Sequence, residues 1–196
     1  MRDYHVSLEA GYFYHIYNRA VGSANLFKES KNYDFFLEKW NKYLVPHVNI
    51  WAYALIPNHF HFLIEIKDLN SFPDEIVINQ FLEEKFKRLF SSYSLAFNSM
   101  YDRNGALFQK SFKRVKVNSN NYLKHLIHYI HHNPIHHNLA TDYLSWKYTS
   151  YSAVLSNKDT KISREKVLEF FEDENSFISY HEEAKNYNKI NHLIFE

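Results

Sequence analysis

The sequence predicts an α+β fold, a ferredoxin-like antiparallel sheet with helices packed mainly on one face. Strand-like and helix-like segments follow one another in the order strand, helix, strand, strand, helix, strand, helix. Only Pro57 and Asn58 separate the second strand from the third, which predicts a hairpin-like antiparallel pair. Helices interspersed with such strands are expected to cover the sheet, and the ferredoxin-like arrangement is the simplest that matches this order.

The composition is that of one folded domain with a terminal extension. The chain has 196 residues, 45% of them hydrophobic, and its 16 Tyr and 17 Phe can fill a sizeable core. We expect the domain to span residues 1–155 and a C-terminal helical extension to span 156–196. The sequence contains no Cys, so any metal must bind nitrogen and oxygen ligands. The net charge is +1, so a nucleic-acid partner would need basic residues gathered at one place.

The sequence carries no signal for a membrane or for a bound nucleotide. No apolar run is long enough to span a bilayer, and the first residues lack the apolar core of a signal peptide. We therefore expect a cytoplasmic location and no membrane partner. No glycine-rich phosphate loop is present, which argues against a nucleotide cofactor.

The first half of the chain supplies two strands and one helix. Residues 12–18 are aromatic and β-branched, which predicts the first strand, and residues 20–31 form a polar loop. Residues 32–45 place large apolar side chains at helical spacing, and Pro46 ends this helix. Residues 48–56 have the composition of the second strand.

The third strand, His59–Ile66, carries the first candidate site. Side chains alternate between the two faces of a strand, so Phe60 and the residues in step with it form a core face. His59 and His61 then lie side by side on the other face, where two imidazoles can bind one metal ion. The alternative is that both histidines are half-exposed and bind nothing, because a chain with 13 His contains such a pair easily by chance.

A long helix and a basic segment follow. Residues 74–100 predict the helix, and residues 102–118 begin with turn residues and continue as an extended stretch. Within that stretch four cations occur in seven residues, interleaved with aromatic side chains. Such a run fits either a solvated strand edge or a nucleic-acid contact. The four cations are Lys110, Lys113, Arg114 and Lys116.

The next helix carries the second candidate site. Residues 119–132 place four aliphatic side chains at helical spacing, and Pro134 is expected to end the helix. Tyr122, Tyr129 and Asn133 share a separate stripe along the border of that apolar face. A tyrosine there can lean over the sheet, although a packing tyrosine with its hydroxyl in water is the simpler interpretation.

The remaining residues are less informative. Residues 135–155 predict a loop and a short helix that cover the core. Residues 161–183 have the periodicity of one polar amphipathic helix, and the tail from about Glu182 is expected to be peripheral.

Taken together, these segments resemble the REP-associated tyrosine transposases, relatives of the single-tyrosine HUH transposases. The resemblance covers roughly residues 11–155 and leaves the C-terminal extension unmatched. Each motif is modest alone, but their order and spacing are specific. The motifs are Tyr14-His15-Ile16-Tyr17-Asn18-Arg19 followed by Leu26-Phe27, then Ala54-Leu55-Ile56-Pro57-Asn58-His59-Phe60-His61, then Gly105-Ala106-Leu107-Phe108-Gln109-Lys110-Ser111-Phe112, then Tyr129-Ile130-His131-His132-Asn133-Pro134, then Trp146-Lys147-Tyr148-Thr149-Ser150-Tyr151.

The resemblance implies an HUH endonuclease fold and a role for each candidate residue. His59, His61 and Asn133 would bind a divalent metal, either Mg²⁺ or Mn²⁺. Tyr129 would be the nucleophile that cuts single-stranded DNA near a hairpin and forms a 5′-phosphotyrosine, and Tyr122 is a weaker second candidate. The resemblance also favours DNA binding by the basic run. The implied DNA contacts are Arg19, Lys110, Lys113, Arg114 and Lys116.

Two other functions remain compatible with the sequence. The chain could be a domesticated relative that binds DNA hairpins without cutting them. It could also be a metal-dependent hydrolase in which water attacks the phosphate, which would leave no protein–DNA adduct. The sequence fits a monomer or a homodimer, with Tyr129 serving its own site or that of a partner.

Overall fold

The computed structural model describes residues 5–73 and 76–184. Within this part of the chain the first three predicted strands are found within one residue of their expected bounds, whereas the extended stretch expected over 102–118 forms a strand only at Lys113–Val117. No helix in the described residues is long and apolar enough to cross a membrane. The elements are β1 (Phe13–Arg19), α1 (Ser30–Tyr43), β2 (Val48–Ile56), β3 (His59–Ile66), a short 3₁₀ helix (Leu69–Ser71), α2 (Ile78–Met100), β4 (Lys113–Val117), α3 (Asn120–His136), α4 (Tyr151–Val154), α5 (Arg164–Phe170) and α6 (Glu174–Ala184).

The four strands form one antiparallel sheet in the order β2-β3-β1-β4. This order and the helix positions confirm the predicted α+β fold with ferredoxin-like topology. The central strands are β1 and β3, whose register pairs Tyr17 with His61 and Arg19 with His59. Because paired residues point to the same face, this register determines which side chains surround the two histidines.

Helices cover both faces of the sheet. On one face, α1 and α2 bury the phenylalanines of β3, where the Trp40 ring stacks on the Phe62 ring with centroids 3.5 Å apart. Phe86 of α2 packs edge-on against the same tryptophan at 5.9 Å. Two of the three long helices thus share one face, as predicted. The third, α3, packs against β2 and β3 on the opposite face, over the histidines.

Helix α3 does not end where the sequence predicts. Ser119 caps its N-terminus by accepting a hydrogen bond from the Tyr122 amide at 3.2 Å. The helix then continues through Pro134 to His136, so the prediction that Pro134 ends it is wrong. Proline removes one amide donor, but the loss falls in the last turn, and the His137 amide still donates to the Asn133 carbonyl. Asn133 is therefore held in regular helix, one turn after Tyr129.

The predicted single helix over 161–183 is also wrong, because two short helices, α5 and α6, occupy this region. Glu172 adopts a positive φ of 79°, which breaks the helical path. Asp173 then accepts a hydrogen bond from the Ser176 amide and starts α6. The predicted peripheral tail lies outside the described residues beyond Ala184.

The segment after α3 closes the free edge of β2. The Ser150 amide donates to the Tyr53 carbonyl, and the Ser163 amide donates to the Ile50 carbonyl. A strand edge that is covered in this way offers fewer unpaired groups to other chains. The extension therefore packs against the domain through β2 and α3.

Candidate metal centre

His59 and His61 lie between the sheet and α3. Their side chains are 6% and 2% exposed, so the half-exposed alternative does not describe them. The strand register places His15 and Tyr17 of β1 on the same face. The structure therefore collects three imidazoles and a phenol under one helix.

His61 presents one ring nitrogen to the site. Its Nδ1 lies 2.9 Å from Nε2 of His15, which orients the ring. Its Nε2 is buried and has no hydrogen-bond partner among the described residues. Burial, reinforced by the neighbouring imidazoles, lowers the pKa of His61 well below its ordinary value, and burial lowers the pKa of His15 to about 3. Both rings are thus neutral, which is the form that binds a metal.

His59 lies between two amide oxygens. Its Nδ1 donates to Oδ1 of Asn58 at 2.8 Å, and its Nε2 is 3.2 Å from Oδ1 of Asn133. A neutral imidazole that donates through Nδ1 carries an acceptor at Nε2. In His59 this acceptor faces the amide oxygen of Asn133, which is also an acceptor. A cation bound between the two atoms would stabilise this arrangement. Neighbouring ligands of an octahedral cation, each about 2.1 Å from it, lie about 3 Å apart. The spacing of His59 and Asn133 therefore fits a metal site.

The donor set is two imidazoles and one amide oxygen. Nδ2 of Asn133 is buried without a hydrogen-bond partner among the described residues, so the amide has its polar contact on the oxygen side alone. No group of three His, Asp or Glu that could hold a metal occurs within residues 5–73 and 76–184. Asn133 is thus the third protein ligand that the local geometry offers.

Tyr129 reaches this cluster from α3. Its ring stands edge-on to His61 with centroids 5.4 Å apart, and its side chain is 4% exposed. The structure therefore brings together the four predicted residues of the metal and nucleophile sites. Tyr122 lies about two turns earlier on the same helix.

A cavity of about 130 Å³ opens beside the two histidines. A water molecule occupies about 30 Å³ in the liquid, so this volume accommodates a hydrated ion or a phosphate group. Polar and positively charged side chains form much of its wall. The lining residues are Tyr17, Asn18, Arg19, His59, His61, Gln109 and Lys113.

The strand alternation of β4 separates the predicted DNA-binding cations. Arg19 and Lys113 line the cavity, and Lys110 is exposed on the segment that precedes β4. Arg114 points to the opposite face, where its guanidinium lies 2.6 Å from Glu83. Lys116 shares that face, 3.1 Å from Glu9. The run that is continuous in sequence is thus divided between two faces of the sheet.

Comparison with known proteins gives a match among the solved structures. No family model matches this sequence, and no curated protein matches it. The solved structure is a REP-associated tyrosine transposase bound to a REP hairpin, with a TM-score of 0.63 over 80% of this chain and 87% of that one. This chain has the fold of that transposase. The identity is 13%, so the likeness concerns the fold alone.

The likeness to the transposase confirms the α+β fold that the sequence predicts. Two residues of the site were not singled out from the sequence, His15 and Tyr17 of β1. The sequence could have indicated them, because both alternate with the core residues of the first predicted strand. Both also belong to the first motif of the resemblance. What the sequence did not provide was the pairing of β1 with β3, which places them beside His61.

Proposed function

We propose that this protein is a metal-dependent nuclease and strand transferase that cuts single-stranded DNA beside a hairpin through a tyrosine nucleophile. One observation carries the proposal. Tyr129 and Asn133, one turn apart on α3, lie over the His59 and His61 side chains of β3. The fold of a transposase that was solved with a REP hairpin supports the same class of activity and of partner.

The metal would be held by His59, His61 and Asn133. The nitrogen and oxygen donors suit Mg²⁺ or Mn²⁺, and Mn²⁺ accepts imidazole more readily. Such an ion, when bound, polarises the scissile phosphate and offsets its developing negative charge.

Tyr129 supplies the nucleophile in this proposal. Its hydroxyl oxygen attacks phosphorus, which leaves a 5′-phosphotyrosine and a free 3′-hydroxyl. The covalent bond conserves the phosphodiester for rejoining, so the reaction needs no nucleotide cofactor. The nucleophile and all candidate ligands belong to one chain, which supports a complete site in a monomer or in each half of a homodimer.

DNA would enter along the cavity wall. Arg19 and Lys113 provide positive charge beside the histidines, and Lys110 extends it toward solvent. Arg114 and Lys116 contribute from the opposite face only if the DNA wraps around β4.

The deciding experiment is a covalent-adduct assay. We would incubate the protein with labelled hairpin DNA carrying single-stranded flanks and Mn²⁺, and analyse it on a denaturing gel. We expect an adduct in the wild type and in Tyr122→Phe, and none in Tyr129→Phe. Cleavage without an adduct would instead indicate hydrolysis by water.

Two observations favour a second candidate, a hairpin-binding protein without nuclease activity. Tyr129 is almost fully buried, and the cavity beside the histidines is small for a nucleotide. Tight hairpin binding with no cleavage of any sequence from the source genome would support this alternative.

A further inference from the structure

A bulge interrupts the strand pairing of β1 beside the cavity at the histidines. Tyr17 pairs with Lys113 of β4, whereas Ala20 forms a bridge with Phe108. Residues 109–112 therefore lie opposite residues 18–19, so the β4 side carries extra residues. Within them Ser111 adopts a positive φ of 64°. Bulges redirect side chains and are common beside active sites.

The backbone at this bulge is fixed by hydrogen bonds. The Gln109 amide donates to the Arg19 carbonyl at 2.9 Å. The buried side chain of Asn18 accepts from the Arg19 amide at 2.8 Å and donates to the Gln109 carbonyl at 3.3 Å. All three bonds use backbone atoms of Arg19 and Gln109. The side chains of these two residues are therefore not needed to hold the bulge together.

Both of these side chains lie on the histidine face of the sheet. Arg19 pairs with His59, and paired residues share a face. Phe108 packs against Phe60 on the opposite face, with ring centroids 6.2 Å apart, so strand alternation turns Gln109 toward the histidines. Arg19 and Gln109 are both exposed, and both line the cavity.

The size of the cavity indicates what these two side chains would contact. Its volume of about 130 Å³ accommodates a phosphate at the histidines but is small for a whole nucleotide. A nucleotide with its phosphate bound there would hold its base at the exposed rim, against Arg19 and Gln109. Proteins read single-stranded bases in this way, by hydrogen bonds to the edges of the base.

The two side chains together match guanine. A guanidinium group offers two parallel donors, and guanine presents two neighbouring acceptors, O6 and N7. The carboxamide of glutamine offers an acceptor oxygen, which suits the N1–H donor beside O6. Adenine carries an amino group in place of O6, so the donors of Arg19 would face another donor.

We propose that Arg19 and Gln109 read a guanine next to the scissile phosphate. The inference rests on the proposed function, in which single-stranded DNA enters along this wall. Arg19 donates to O6 and N7, and the side-chain oxygen of Gln109 accepts from N1–H. Asn18 is a positioning residue that sets the distance between the two.

Selection from a DNA library tests the inference. The probe is a library of DNA hairpins with randomised stem pairs and randomised single-stranded flanks. It is bound in Mn²⁺ to Tyr129→Phe, which lacks the proposed nucleophile, and the bound strands are sequenced. We expect guanine to be favoured about 5- to 150-fold over other bases at one flank position, the discrimination typical of a bidentate contact. Adding Arg19→Lys or Gln109→Leu should reduce this preference.

Three controls separate base reading from phosphate binding. Lys113→Ala should weaken binding of all sequences alike and keep the guanine preference. Arg19→Lys keeps the charge but loses the paired donors, so the salt dependence of its affinity should equal that of the parent protein. A 7-deazaguanine at the favoured position lacks N7. It should weaken binding to the parent but not to Arg19→Lys.

The inference and the proposed function fail in different ways. Flanks without a favoured base, a preference for another base, or a guanine preference that survives either Arg19→Lys or Gln109→Leu would overturn the reading of guanine. The covalent-adduct assay would still decide the nuclease function in those cases. A wild-type protein that binds no hairpin of the library and forms no adduct would overturn both.

Discussion

At the residue scale, the candidate metal site depends on the hydrogen bonds to Nδ1 of His59 and of His61, the ring nitrogens that face away from the site. Asn58 binds Nδ1 of His59, and His15 binds Nδ1 of His61, so the Nε2 atoms of both rings face the site. Partners of this kind fix the tautomer and direction of a metal-binding histidine. In the proposed metal site His15 would therefore orient a ligand rather than bind the metal itself.

We expect His15→Leu to lower the affinity for Mn²⁺ about 10- to 100-fold, because His61 loses the partner that orients it. Titration calorimetry of the purified protein measures this directly. His136→Gln, which changes an exposed histidine on α3, is the control and should leave the affinity unchanged. An unaltered dissociation constant in His15→Leu would refute the orienting role.

At the element scale, helix α3 links the site to the C-terminal extension. Nδ1 of His181 donates to the Phe177 carbonyl, so Nε2 of His181 accepts from Nδ1 of His131 at 2.9 Å. Nε2 of His131 then accepts from the Ser150 hydroxyl at 2.7 Å, and Ser150 accepts from the Tyr53 amide. Each donor in this series of hydrogen bonds has one acceptor. Neutral groups therefore hold α6, α3 and β2 together.

We expect Ser150→Ala to lower the free energy of unfolding by about 1–3 kcal/mol, because it leaves a buried imidazole nitrogen and a strand amide without partners. Urea denaturation followed by circular dichroism measures the change. Ser91→Ala, on the exposed side of α2, is a matched control. Equal stability of the two variants would show that the chain of hydrogen bonds contributes little.

Strand β4 allows the two roles of its cations to be separated. We expect Lys113→Ala to weaken hairpin binding and to reduce the dependence of log affinity on log salt by about 0.7–0.9, the value of one lost phosphate contact. Arg114→Ala should leave this slope unchanged. It should lower stability by about 1–3 kcal/mol, since the charge-assisted hydrogen bond to Glu83 is lost. An unchanged salt slope in Lys113→Ala together with a reduced slope in Arg114→Ala would contradict this prediction. It would place the DNA on the face of the sheet that α2 covers.

At the scale of the whole molecule, stability depends on the many tyrosines that folding buries. Burial raises the pKa of Tyr14, Tyr33 and Tyr53 each to about 12. Their native pKa lies above the unfolded value of about 10, so between these values the unfolded state binds fewer protons than the native state. Stability is therefore fully present below pH 10 and decreases as the pH rises toward 12.

We expect each of these phenols to reduce the free energy of unfolding by about 1.4 kcal/mol per pH unit in this range. Urea titrations between about pH 9 and about pH 11, with phenolate absorbance as a second probe, test the prediction. Tyr33→Phe should show a shallower decrease than the wild type. Phenolate absorbance that rises before the protein unfolds would contradict it.

The sequence by itself determined the strands and most of the helices, because alternation and helical spacing are local properties of the chain. It also determined which histidines and which tyrosine to examine. It did not determine that α3 continues past Pro134 to His136, since tolerance of proline depends on how few residues follow it in the helix.

The tertiary structure decided what these residues face. Strand pairing placed Tyr17 and His15 beside His61, and the packing of α3 brought Tyr129 against His61 and Asn133 against His59. Strand alternation in β4 set Lys113 toward the cavity and Arg114 away from it. These choices depend on register and helix docking between segments that are distant in the chain, and local sequence preferences carry no information about such distant pairings.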